Sequence, residues 1–293
     1  MHDGRKIIEP NMRIPPLNII ALSAAILASP LYANTLTYEP FAYSLEDGTD
    51  MKGVAAAAQG LAGKYRLKIT PAATSDGTGT AIFAAAGLEF GKDFHPVSGG
   101  AVNVTGTSGS EKNGLPTRTE LSVNLSTAPT GTAYYSYLFR FDYDFPPQNS
   151  GSTSTSVRFG DLVLAPNCSR NFRNSAGVGL GKITAISGDF NPLGEAVYLV
   201  IGKVSGPEAW IWILDYPSYE QWRQKGARED QLAGFSQAAA TAAPAAGSVN
   251  TFGECKIEVF SGNFAGKALS MWLDEIVIGA SLVDVTIGSA AQN

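Results

Sequence analysis

The chain is poor in charge. Asp, Glu, Lys and Arg make up 16% of its 293 residues, where soluble domains average roughly 25%. It has two histidines, His2 and His95, and two cysteines, Cys168 and Cys255. A three-histidine zinc site is therefore excluded, and so is a four-cysteine one. There is no basic surplus. The net charge is −5, so little of the chain is suited to displacing counterions from a phosphate backbone, and nucleic acid is not an expected partner. Helix formers do not dominate either, because Gly 32 and Pro 16 punctuate the sequence throughout. That composition excludes a helical bundle and favours many short strands joined by turns.

The long hydrophobic runs are few, and the clearest lies near the start. Arg5, Lys6 and Arg13 precede a mostly apolar stretch from Leu17 to Leu27, and Leu31-Tyr32-Ala33 follows with a small residue at its end. The run is too short to span a bilayer, which takes roughly 20 apolar residues. It reads as a secretory signal peptide over 1–33 cut after Ala33, with Met12 as an alternative start. The expected mature chain, 34–293, is a single domain with no transmembrane segment. Its expected address is secreted, at the cell surface or in the periplasm. In that oxidising setting Cys168 and Cys255 are expected to form a disulfide.

Period-2 patterns mark the strands. Tyr65, Leu67 and Ile69 alternate with Arg66 and Lys68. Tyr135, Tyr137, Phe139, Phe141 and Tyr143 form an aromatic face. Val197–Ile201 and Trp210–Leu214 are apolar on both faces, as in central strands. Ile257 and Val259 alternate with Lys256 and Glu258. A last strand runs from Met271 to Ile278, with Asp274, Ile276 and Ile278 expected on one side. Helix is expected only within Ser218–Leu232 and near Ala238, and Ser236–Ser248 reads as a surface loop. Together these predict an all-β fold, a two-sheet antiparallel jelly-roll sandwich.

Five segments in order resemble a known family. They are Tyr38-Glu39-Pro40-Phe41-Ala42-Tyr43, Tyr134–Asp142, Tyr198–Val204, Ile211–Leu214, and the closing Leu273-Asp274-Glu275-Ile276-Val277-Ile278-Gly279 with Val283-Asp284-Val285-Thr286. The chain resembles the LamG-like, concanavalin A-like jelly-roll domains of exported bacterial proteins, many of which carry a PEP-CTERM sorting tail. The resemblance implies the same sandwich and a structural role for Asp274-Glu275. It departs at Leu61–Tyr65, where the family often has tryptophans, and no V-P-E-P sorting motif is present. The family supplies no common catalytic set.

Enzyme signatures are sparse. The E-x-D-x-x-E string of jelly-roll glucanases, which would set two carboxylates about 5 Å apart, is absent. Arg118-Thr119-Glu120-Leu121 resembles the R-[ST]-E-L-R strand of alginate-lyase-like folds, but Ser122 stands at the fifth position and His95 precedes the segment; Arg118 and Glu120 read as exposed strand positions. No G-x-S-x-G surrounds a serine. Oxygen ligands for calcium exist at Asp47, Asp50, Asp189 and Asn191, yet turn formation accounts for them, so no metal or cofactor is assigned. The expected role is non-catalytic polysaccharide or cell-surface glycan binding or adhesion. The alternatives are a purely structural extracellular protein, or a glycoside hydrolase or lyase. Tyr216, Tyr219, Trp222 and Arg223, rings and a cation among polar residues, are the expected ligand-binding set.

Overall fold

Period-2 alternation and short apolar runs resolve into fifteen strands among the described residues. The computed structural model describes residues 35–72, 75–91, 94, 99–110, 115–143, 153–170, 173–190, 192, 194–242, 253–262 and 266–286. The expected signal peptide and His95 lie outside them. In chain order the strands are β1 (Thr35–Glu39), β2 (Leu61–Pro71), β3 (Thr78–Ala84), β4 (Ala101–Thr107), β5 (Thr117–Leu125), β6 (Ala133–Tyr143), β7 (Ser154–Phe159), β8 (Leu162–Arg170), β9 (Arg173–Leu180), β10 (Ala185–Asp189), β11 (Val197–Ser205), β12 (Glu208–Leu214), β13 (Ala238–Ala242), β14 (Glu254–Ser261) and β15 (Ala268–Gly279). Three short helices join them: α1 (Tyr216–Gln224), α2 (Leu232–Phe235) and α3 (Leu282–Thr286). The described residues belong to one compact unit.

Two antiparallel sheets stack as a jelly-roll sandwich. The first runs β13-β12-β11-β6-β15-β4-β3, with β1 also paired to β15; the second runs β10-β9-β8-β7-β14-β5-β2. Between them lies the main core, which takes the predicted aromatic face of β6: Tyr135, Tyr137, Phe139 and Phe141 are all buried there. A second apolar layer forms on the outside of the first sheet, where α1, α2 and α3 cover Leu138, Leu199, Ile201 and Trp212. That explains why β11 and β12 are apolar on both faces.

Three expectations need correction. Ala238–Ala242 is neither helix nor loop but the edge strand β13, paired to β12 from Ala209↔Ala242 to Ile213↔Ala238. On β15, Asp274 does not share a face with Ile276 and Ile278. Leu273, Ile276 and Ile278 all reach the main core, although the first two are three positions apart, an odd spacing that regular alternation would send to opposite faces. A bulge between Asp274 and Val277 in the pairing with β6, with Glu275 at φ +52°, resets the alternation.

The third correction concerns the cysteines, which carry thiols rather than a disulfide. Strand β7 shows why. Its Ser154 faces Cys168, while its Phe159 faces Cys255 on the opposite neighbour, β14. Five residues of strand, about 16 Å at ~3.3 Å each, separate the two positions along the sheet. A disulfide needs Cα atoms within about 7 Å. Burial in the core also pushes the Cys255 thiol well up, with Glu39 and Glu254 charges adding to it. Two thiols should therefore titrate in denatured, non-reduced protein, and the Cys255 thiol should react in the native state only at the rate of unfolding. Rapid labelling of native Cys255 would contradict the packing.

Candidate functional site

The predicted ligand-binding set lies on α1, and the structure does not bring it together as an open platform. Asp215 caps the helix, accepting a hydrogen bond from the Ser218 amide at 3.0 Å, and Pro217 sits in the first turn; both favour helix initiation. Residues three apart then share a face. That face is the apolar one, so Tyr219 and Trp222 are completely buried. Tyr219 donates its hydroxyl to the Thr286 carbonyl at 2.6 Å, and Trp222 donates Nε1–H to the Arg228 carbonyl at 2.9 Å. Tyr216 is half-buried, edge-on to Phe90 at 5.7 Å, with its hydroxyl donated to Glu220 at 2.8 Å. The Arg223 guanidinium lies over the Tyr219 ring, 5.7 Å from its centroid. These residues fasten the helical cover to the first sheet. Burial leaves the Tyr219 and Trp222 rings no face open to a ligand.

Two of the calcium candidates serve the chain itself. Asp47 accepts from the Ala85 amide at 3.0 Å and Asp50 from the Lys52 amide at 2.8 Å. Asn191 lies outside the described residues. No cluster of three or more His, Cys, Asp or Glu suited to a metal occurs among the described residues.

A polar concavity lies elsewhere. Among the described residues no helix lies over the outer face of the second sheet at β2-β5-β14-β7, where there is a groove of about 510 Å³ lined by Arg118, Glu120, Arg158, Lys256 and Glu258, with Asp161 and Glu254 at one end. Strand alternation puts these residues there. Leu121 and Val123 of β5, Ile257 and Val259 of β14, and Val157 and Phe159 of β7 fill the core, so their sequence neighbours point out. Register then aligns them in rows. One row reads Lys68, Glu120, Glu258, Ser156 across the four strands. The next reads Arg66, Ser122, Lys256, Arg158. A third sets Arg118 beside Phe260, with the guanidinium 5.7 Å from the ring centroid.

Glu120 and Glu258 are therefore direct cross-strand partners, and both are buried. Like charges so placed repel. Cations around them offset this: Lys68 at 3.7 Å and Lys256 at 3.4 Å from Glu120, Arg118 at 3.7 Å and Arg158 at 3.9 Å from Glu258. At the groove end Arg66 contacts Glu254 at 2.8 Å. Burial works to raise the Glu254 carboxyl, but hydrogen bonds from Arg66 and Ser122 and the charges of Lys256 and Arg66 outweigh it and hold the group below the usual range. Sequence reading placed Arg118 and Glu120 on an exposed strand. Arg118 is exposed as expected; Glu120 forms the floor. Arg66, Lys68, Arg158, Glu254, Lys256, Glu258 and Phe260 were not singled out as a site. They come from three strands, β2, β7 and β14, whose adjacency to β5 or to each other no local pattern reveals.

No protein family and no curated protein matches the sequence. Solved structures with a similar fold include the cellulose-induced protein Cip1, at 13% identity and TM-score 0.39 over 73% of this chain and 91% of that one. They include the carbohydrate recognition domain of Emp47p, at 9% identity and TM-score 0.39 over 81% and 96%. They also include an alginate lyase from Klebsiella pneumoniae, at 9% identity and TM-score 0.35 over 68% and 84%.

Proposed function

We propose that this is an exported, non-catalytic glycan-binding protein whose ligand lies along the groove on the outer face of the second sheet. The observation that carries the reading is the Glu120–Glu258 pair. A sheet arranged for stability alone does not set two acids directly opposite each other and then surround them with cations. Such a lattice of carboxylates, guanidiniums and ammoniums suits the hydroxyls of an extended sugar chain. The Phe260 ring at its edge offers a surface for a pyranose face. Export follows from the apolar run at Leu17–Leu27 and the Leu31-Tyr32-Ala33 site, and N-terminal sequencing of secreted protein, expected to begin at Asn34, tests it.

Retention of the folded chain on immobilised polysaccharides tests the role. Binding is expected, and Phe260→Ala should weaken it about tenfold. Retention unchanged by that substitution would move the site elsewhere.

Two other readings each have one observation behind them. Burial of Tyr219 and Trp222 favours a purely structural protein, which predicts no retention at all. The facing acids favour hydrolysis, since retaining glycosidases hold two carboxyl groups roughly 5 Å apart. That reading predicts reducing ends released from a polysaccharide panel and abolished by Glu120→Gln or Glu258→Gln.

A further inference from the structure

The groove's charges are not equally accessible, and the difference depends on their depth. The acids form the floor: the side chains of Glu120 and Glu258 are 10% and 8% exposed. The cations form the rim: Lys68 is 73% exposed, Arg66 51% and Arg118 47%. Arg158 and Lys256, each 27% exposed, lie deeper than these three, and Glu254, at 35%, is the more accessible acid at the groove's end.

Most of the groove's cations stand at long distances from its carboxylates. A charge-assisted N–H to carboxylate bond is about 2.7–2.9 Å long. Lys68, Arg118 and Arg158 stand at 3.7, 3.7 and 3.9 Å from the floor acids, and Lys256 at 3.4 and 3.7 Å. Only Arg66 among the five makes a short carboxylate contact, at 2.8 Å to Glu254. The long contacts hold these cation heads near the buried acids by charge, while Arg158 also donates to the Gly181 carbonyl at 3.1 Å and Arg66 to the Asn124 side chain at 2.9 Å. The chain as a whole carries −5, so an anionic polymer is repelled by the average surface and drawn to this one.

We infer that the groove takes an acidic polysaccharide, its ring carboxylates or sulfates meeting the rim formed by Lys68, Arg66 and Arg118. This rests on the glycan-binding reading above and names its substrate class. Four strands at ~4.8 Å spacing make the groove about 14 Å wide, room for roughly two or three sugar rings laid across the strands. The floor acids then have a second use. They accept hydroxyl protons between the anionic groups, and they penalise a polyanion whose charges fall out of step with the cations. Nucleic acid is disfavoured by the aromatic content of this face. Single-stranded binders stack bases on successive rings, and on the outer face of β2, β5, β7 and β14 the described residues offer Phe260 alone.

The experiment is affinity electrophoresis of the folded chain through gels containing polygalacturonate, chondroitin sulfate, a neutral glucan or single-stranded DNA. Retardation is expected in one or both acidic polysaccharides and not in the neutral glucan. It should weaken at least tenfold between 50 and 300 mM salt. Lys68→Gln combined with Arg118→Gln should reduce it at least tenfold, with circular dichroism run alongside to confirm that the variant stays folded although two of the charges offsetting Glu120 and Glu258 are gone. Retardation by the neutral glucan alone would overturn the acidic ligand and keep glycan binding. Retardation by no polysaccharide would overturn both. Equal retardation by DNA would show an unselective polyanion surface and overturn the sugar assignment. Full retardation of the double variant would overturn the rim.

Discussion

Trp222→Ala is expected to destabilise the protein by about 3–5 kcal/mol, the usual cost of truncating a fully buried large aromatic. Domains of this kind are held by about 5–15 kcal/mol in all, so the loss should shift a urea midpoint by more than 1 M. Trp222 has no exposed surface and packs in the outer apolar layer with Tyr219, Leu232 and Val285. Its ring centroid is 6.1 Å from that of Tyr219. Removing it opens a cavity under α1 and strips the Arg228 carbonyl of its donor. Glycan retention of the fraction that stays folded should match wild type, since the groove is on the other sheet. The reverse pattern, stability kept and retention lost, would restore α1 as the ligand site. Urea titration and retention measured on the same preparation separate the two.

The sequence carried the information about Trp222, in a form that allowed two readings. Tyr216, Tyr219 and Trp222 are spaced three apart, which is a helix face, and Asp215 with Pro217 is a helix start. Polar neighbours made the same string look like an exposed loop. Strands whose alternation is apolar against charged, β6 and β14, were legible because the period itself is physical. Strand β9 was not. It contains Gly177 and Gly179, which argue for a turn, yet a Cβ at Gly179 would lie 1.9 Å from the Lys182 carbonyl oxygen. Glycine is required there because the chain folds back onto the strand. The groove was illegible for another reason. Lys68, Glu120, Arg158 and Glu258 are far apart in sequence, and only the pairing of β2, β5, β14 and β7 puts them in register. Each strand announces that one face is polar; none announces its neighbours.

The bulge in β15 leads to the second large effect, a loss of stability toward alkaline pH. Asp274 is completely buried. Its oxygens accept from the Leu88 amide at 2.8 Å and the Glu275 amide at 2.7 Å. Burial is the main reason its carboxyl is pushed up to about 8, and the charge of Glu275 adds to it, with a smaller push from Glu39. Glu39 is itself raised by burial, against hydrogen bonds from Tyr43, Tyr65 and the Phe41 amide. An aspartate in the unfolded chain titrates near 3.9. Below that pH both states are protonated and the native state has its full advantage. Between about 4 and 8 the unfolded chain ionises while folded Asp274 keeps its proton, so stability falls with each pH unit. Above about 8 both are ionised and the loss is complete, on the order of 5 kcal/mol from this group. The surface carboxylates Asp76 and Asp230, whose carboxyls are held low by hydrogen bonds from Ser110 and Arg228 respectively, act in the opposite sense but at lower pH. The melting temperature should therefore peak in weak acid and decline steadily to pH 8.5. Asp274→Asn should flatten that decline. Its amide presents one acceptor and one donor where two acceptors are needed, so the variant should be about 1–3 kcal/mol less stable in acid. The slope, not the absolute melting temperature, is the readout. A variant slope equal to that of wild type between pH 5 and 8.5 would show that Asp274 is already ionised in the native state.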